Sequence, residues 1–140
     1  MIGKIRQYGL VYKDISDKIK FYKDVFDMKI NTIDIKISKN IYNEKIEPYK
    51  LRFGLFMMDK IQIEFIQVLE GKTIYNSFLE NTSGGFHHIG IYVDDLDIAI
   101  KKIEKNNIKQ LTNGKAPGTR FAYYNTKKML GYETELIELK

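Results

Sequence analysis

Two stretches of this chain repeat each other. Ile5-Arg6-Gln7-Tyr8-Gly9-Leu10-Val11-Tyr12-Lys13-Asp14-Ile15 aligns with Phe86-His87-His88-Ile89-Gly90-Ile91-Tyr92-Val93-Asp94-Asp95-Leu96 at a constant offset of 81 residues. Gly9 falls on Gly90, Asp14 on Asp95 and Ile15 on Leu96. An internal repeat means two like supersecondary units that bury their apolar faces together. Both stretches are β-branched and aromatic, and read as strands. A helical pattern follows each: Ile15, Ile19, Tyr22 and Phe26 in the first copy, and Leu96, Ala99, Ile100 and Ile103 in the second, form an apolar stripe on a charged helix. Ser16 and Asp17, or Asp94 and Asp95, stand where a side-chain oxygen caps free N–H groups. Asn106-Asn107 suits the end of the second helix, because Asn tolerates the left-handed conformation.

Three further strands are expected in each copy, over roughly 28–37, 50–58 and 61–68, then 108–112, 119–125 and 133–139. Arg52-Phe53-Gly54-Leu55-Phe56 echoes Arg120-Phe121-Ala122-Tyr123-Tyr124 at an offset of 68. Residues 73–80 read as a short connecting helix. The fold class is therefore α+β: two paired βαβββ modules, 1–72 and 85–140, joined by 73–84 in one domain spanning 1–140. Each helix covers one face of its sheet, and the free faces curve into an incomplete barrel around a cavity.

Composition excludes several classes. There is no cysteine among the 140 residues, hence no disulfide, thiolate metal site or cysteine nucleophile, which fits a reducing, cytoplasmic setting. No apolar run is long enough to span a bilayer, and Met1-Ile2-Gly3-Lys4 does not open a signal peptide. The net charge of +5 raises the question of nucleic acid. Most basic residues are lysines spread among Asp and Glu, so no phosphate-binding stripe forms and no nucleic-acid partner is expected. With adjacent histidines only and no Gly-x-Ser-x-Gly elbow, a serine hydrolase is excluded.

Strand alternation decides which side chains share the cavity. His88, Gly90 and Tyr92 fall on the cavity face of their strand. His87, Ile89, Ile91 and Val93 fall on the face packed under the helix, so His87 reads as structural rather than as a ligand. The repeat then turns Gln7, Gly9 and Val11 inward. On 61–66 the apolar set Ile61, Ile63 and Phe65 packs on the helix, which sends Glu64 inward. On the last strand Ile137 and Leu139 best match the packed face, which sends Glu138 inward. Gln7, Glu64, His88 and Glu138 thus converge. Two carboxylates in one cavity repel and lose hydration unless a cation lies between them. A divalent ion cancels both charges and takes the amide oxygen and imidazole nitrogen as further ligands.

These motifs resemble the vicinal oxygen chelate superfamily, which includes glyoxalase I, methylmalonyl-CoA epimerase, extradiol dioxygenases and bleomycin-resistance proteins. The resemblance rests on Gly85-Phe86-His87-His88-Ile89-Gly90-Ile91-Tyr92-Val93-Asp94-Asp95-Leu96, with support from Phe21-Tyr22-Lys23-Asp24-Val25-Phe26 and Glu135-Leu136-Ile137-Glu138-Leu139. It implies paired βαβββ modules around a metal in a homodimer, with the ligand positions on Gln7, Glu64, His88 and Glu138. Gln at the first position is similar to certain glyoxalase I enzymes, while the Phe-His-His stretch is closer to methylmalonyl-CoA epimerases. The latter use a further carboxylate on the third strand, where Leu51-Arg52-Phe53-Gly54-Leu55-Phe56 holds none. Lacking the first His, the chain does not fit the ferrous-iron set of the dioxygenases.

A ligand set of three oxygens and one nitrogen suits Ni, Co, Mn, Zn or Mg with open positions for two substrate oxygens. The expected chemistry is that of a lyase, isomerase or epimerase acting on a 2-oxo compound or acyl thioester. A proton next to a carbonyl is removed and the resulting enediolate is stabilised. The resemblance implies Glu138 as base, with Glu64 moving the proton on. Arg52 and Arg120, at repeat-related positions, are candidates for binding an anionic substrate, and Tyr92 and Tyr123 for lining the cavity. The alternative is a non-catalytic antibiotic-binding protein of the bleomycin-resistance type.

Overall fold

In the computed structural model, which describes residues 2–140, the two copies meet along their first strands. β1 (Lys4–Val11) pairs antiparallel with β7 (Gly85–Tyr92) at the centre of one ten-stranded sheet. On one side of β1 follow β6 (Ile61–Glu70), β5 (Tyr49–Met58) and β2 (Asn31–Ile37). On the other side of β7 follow β10 (Glu133–Leu139), β9 (Thr119–Tyr124) and β8 (Gln110–Ala116). The two flanks mirror each other: β1 runs parallel to β6, and β7 parallel to β10.

Helix α1 (Ser16–Phe26) opens with Asp14 Oδ1 accepting from Ser16 N at 2.8 Å and stops at Asp27, whose φ is 55°. Its apolar stripe, Ile15, Ile19 and Tyr22, packs on Phe56, Ile63 and Phe65. Helix α3 (Leu96–Glu104) is capped by Asp95, whose Oδ1 accepts from Ile98 N at 2.9 Å, and Asn107 just beyond it is left-handed. It packs Leu96, Ala99, Ile100 and Ile103 on Val93, Ala122, Tyr124 and Leu136. Both helices cover the convex face. Helix α2 (Ile74–Asn81), held by a capping box between Thr73 and Asn76, sends Ile74 and Tyr75 into the concave face. There they join Val11, Ile37, Leu51, Ile66, Phe121 and Tyr123.

Two strands and a helical turn go beyond the expected plan. After Ser38 the chain forms β3 (Lys39–Tyr42) and β4 (Lys45–Ile46), a hairpin that pairs not with its own flank but with β8 of the other. Its turn residues Asn43 and Glu44 both have positive φ, 52° and 63°, the backbone pattern of the tight hairpin turn. β8 accordingly extends past the expected 108–112, because Asn113, Gly114 and Lys115 are held between β9 and β3. A single turn, α4 (Lys127–Leu130), precedes β10. No helix is long and apolar enough to cross a membrane among the described residues.

The last strand faces the opposite way from the sequence reading. Leu136, not Ile137, packs under α3, while Ile137 and Leu139 line the concave cavity. The concave wall is itself apolar, so hydrophobicity does not distinguish the two faces of this strand.

Candidate metal centre

The pseudo-symmetry of the sheet builds the centre. Gly9 sits opposite Glu64 in the β1–β6 ladder, and Gly90 opposite Glu135 in the β7–β10 ladder. Glu64 and Glu135 are thus equivalent positions in the two flanks, as Gln7 and His88 are in the two central strands. The glycines make the convergence possible. A Cβ on Gly9 would lie 2.0 Å from His88 Cε1, and one on Gly90 would lie 2.8 Å from Gln7 Cβ. Each central strand gives up a side chain so that its neighbour's ligand can lie across it.

Gln7, Glu64, His88 and Glu135 are all buried. His88 Nε2 lies 3.2 Å from Glu64 Oε1 and 3.3 Å from Glu135 Oε2. One ligand atom from each of Glu64, His88 and Glu135 falls within 4.8 Å of the others. Gln7 Nε2 donates to Glu64 Oε2 at 3.1 Å and to Gln62 Oε1 at 2.9 Å. Gln7 Oε1 is buried with no hydrogen-bond donor, and Glu135 Oε2, also buried, has only the His88 Nε2 contact. An unpartnered buried amide oxygen beside two buried carboxylates is what a divalent cation would satisfy, so the residues fit such an ion. Gln7 joins the set once its amide turns over. Burial by itself would push the His88 imidazole down, but the hydrogen bonds and charges of Glu135 and Glu64 prevail and raise it to about 9. Burial raises the Glu64 carboxyl, opposed by its contact with His88.

Three expected site residues are elsewhere. Glu138 lies on the convex side, where its Oε2 accepts from Leu96 N at 2.8 Å, at the start of α3, and its Oε1 lies 3.5 Å from Arg120. Its charge thus serves a helix N-terminus, and Glu135 stands in the place assigned to it. Arg52 is held by both oxygens of Asp34, at 2.8 and 3.0 Å, on the convex face. Arg120 is held by Asp97 at 2.8 Å. Leu51 and Phe53, like Phe121 and Tyr123, point into the cavity, so alternation turns both arginines outward. Tyr92 and Tyr123 do line the cavity, as does Glu64.

His87 departs from the strand alternation. The β1–β7 register slips so that Gly9 faces His88 and Leu10 faces Phe86, leaving His87 as the extra residue of a bulge. It does not join Ile91 and Val93 under α3. It turns toward α2, edge-on to Tyr75 and Phe78 at 5.2 and 4.9 Å. Its Nδ1 lies 2.9 Å from His88 Nδ1. For His88 to offer the Nε2 lone pair, its proton must sit on Nδ1 and be donated to His87 Nδ1. Burial, then the neighbouring His88 and Lys127, push the His87 imidazole down to about 2, which leaves it neutral and able to accept.

Gln7, Glu64 and Glu135 open onto a cavity of about 290 Å³. Tyr49, Tyr75, Tyr92 and Tyr123 line it, and Tyr123 O–H links Tyr75 O–H, at 2.6 Å, with His88 Nε2, at 3.4 Å.

Comparison with known proteins agrees with this architecture. The methylmalonyl-CoA epimerase of Dictyostelium discoideum, a mitochondrial protein, is 25% identical over 141 residues, covering 98% of this chain and 79% of its own. The mitochondrial mouse methylmalonyl-CoA epimerase is 20% identical over 80% of this chain, which spans only 58% of its length. A Streptomyces coelicolor methylmalonyl-CoA epimerase variant, solved with 2-nitronate-propionyl-CoA, superposes with a TM-score of 0.71 at 16% identity, over 99% of this chain and 96% of its own. The model of the glyoxalase/bleomycin resistance protein/dioxygenase superfamily matches residues 6–123. With that match over most of its length, the chain belongs to the glyoxalase/bleomycin resistance protein/dioxygenase superfamily.

Proposed function

We propose that this protein is a divalent-metal-dependent enzyme of the isomerase or epimerase kind, moving a proton on the carbon beside the carbonyl of an acyl thioester. The observation that carries the reading is the buried cluster of Glu64, His88 and Glu135, with Gln7 hydrogen-bonded to Glu64, at a cavity that Gln7, Glu64 and Glu135 line. The epimerase relatives support the reaction class.

Gln7, Glu64, His88 and Glu135 would hold the ion. When bound, it supplies Lewis-acid stabilisation of the charge that grows on the carbonyl oxygen as the proton leaves. The chain supplies the bases. Glu64 and Glu135 come from opposite flanks of the sheet and both reach His88 Nε2. One carboxylate can take a proton from one face of the substrate while the other delivers one to the opposite face, as inversion at carbon requires. The largely apolar wall lowers the polarity around the carbon that loses its proton.

The test is elemental analysis of the purified protein, followed by exchange of the α-hydrogen of methylmalonyl-CoA and related acyl thioesters in heavy water. Metal-dependent exchange that Glu135→Gln abolishes is the expected result. A protein that binds no divalent ion, and whose Tm does not respond to added Mn²⁺, Co²⁺ or Ni²⁺, is instead a passive binder of the bleomycin-resistance type.

A further inference from the structure

Past the ion cluster the cavity has a chemical character of its own. Its wall is built from Ile35, Leu51, Phe53, Phe121, Ile137 and Leu139, and among the described residues no Lys or Arg lines it. The two arginines carried by bordering strands are turned outward and locked to Asp34 and Asp97. Polar side chains on the wall are neutral apart from the ion-facing glutamates: the Tyr75 and Tyr123 hydroxyls bond each other, Tyr123 also approaching His88 Nε2, and Tyr49, Gln62, Tyr92 and Thr119 complete the set with Gln7. An anionic group lying beyond the ion would give up water for a largely apolar wall and gain no cation there. A hydrocarbon or aromatic group meets surfaces of its own kind.

Resting on the metal-centred reading above, we propose that the cavity, which is open on one side, takes the acyl side of the substrate and selects those that carry there an uncharged apolar or aromatic substituent. A substrate with a second carboxylate directed away from the ion is rejected.

Two 2-oxo acids of similar size separate the tail from the head. Both 4-methyl-2-oxopentanoate and 2-oxoglutarate present a 2-oxo carboxylate to the ion, but one ends in a branched hydrocarbon and the other in a carboxylate. Titrated calorimetrically into the Mn²⁺-loaded protein, the hydrocarbon acid should bind roughly tenfold tighter or more. Equal affinity, or tighter binding of 2-oxoglutarate, overturns the proposal. Thr119→Lys places a cation on the cavity wall and should narrow the preference, and Leu139→Lys serves the same purpose if Thr119→Lys does not fold. A preference unchanged in a folded variant also counts against it. If the protein takes up no Mn²⁺, the functional reading fails. The same two acids, ranked by the Tm of metal-free protein, then decide the tail preference alone. Greater stabilisation by 4-methyl-2-oxopentanoate sustains it, and equal or greater stabilisation by 2-oxoglutarate refutes it.

Discussion

Replacing His87 by Phe tests how the imidazole next to it is held. Phe keeps a ring against Tyr75 and Phe78, which meet His87 edge-on. It deletes the acceptor 2.9 Å from His88 Nδ1. With the ion bound, His88 would hold an N–H that is fully buried and unpartnered. A buried donor without an acceptor costs about 1–3 kcal/mol. Loss of such an outer partner of a metal-bound His lowers affinity about 10–100-fold, or about 1.4–2.8 kcal/mol, and the two figures agree. Calorimetric titration of metal-free wild type and His87→Phe with Mn²⁺ measures the difference directly. His87→Gln, which restores an acceptor oxygen, should recover part of the loss. If His87→Phe binds the ion as tightly as wild type while remaining folded, His87 does not set the proton position of His88.

Three other outcomes follow from the same geometry. Gly9→Ala places a methyl group 2.0 Å from His88 Cε1, so the ring must leave its site. Denaturant unfolding should show a loss of about 1–3 kcal/mol, and Mn²⁺ titration a loss of binding. Glu135→Gln should abolish ion uptake, whereas Glu138→Gln should leave it intact and cost about 0.3–1 kcal/mol of stability through the weakened α3 N-terminus, read by ion titration and unfolding of both variants. In the metal-free protein Glu135 and Glu64 hold the His88 proton up to about pH 9. The ion must displace that proton, so apparent affinity should rise about tenfold per pH unit between pH 6.5 and 8.5. An affinity independent of pH over that range would contradict it.

The repeat made most of the centre legible before any coordinates. Matching Gln7 to His88 and Gly9 to Gly90 gives two of the four residues and the strand pair that carries them. Glu64 followed because its strand has a clearly apolar convex face. Glu135 is hidden, because Ile137 and Leu139 have the character of a helix-packed face yet line an apolar cavity. A second echo contained the answer: Glu64-Phe65-Ile66 matches Glu135-Leu136-Ile137, and the two glutamates sit opposite the repeat-related glycines. Arg52 and Arg120 were correctly paired by the repeat, but their direction depended on parity that an apolar-on-both-sides stretch does not reveal. The β3–β4 hairpin was invisible because its strands are short and its Asn43-Glu44 turn lacks the usual glycine. The bulge at His87 had no local signature either. It follows from fitting β7 against β1, a contact between distant parts of the chain.

One residue, Ser38, separates β2 at one margin of the sheet from β3 near the other. The curled sheet is therefore hooped by its own backbone. The two flanks cannot swing apart like a clam shell unless β3 first peels from β8 and breaks the ladder from Lys39–Lys115 to Tyr42–Thr112. Amide exchange in that ladder and the passage of ligands into the chamber become a single mechanical event if traffic uses that side, and independent events if it uses another.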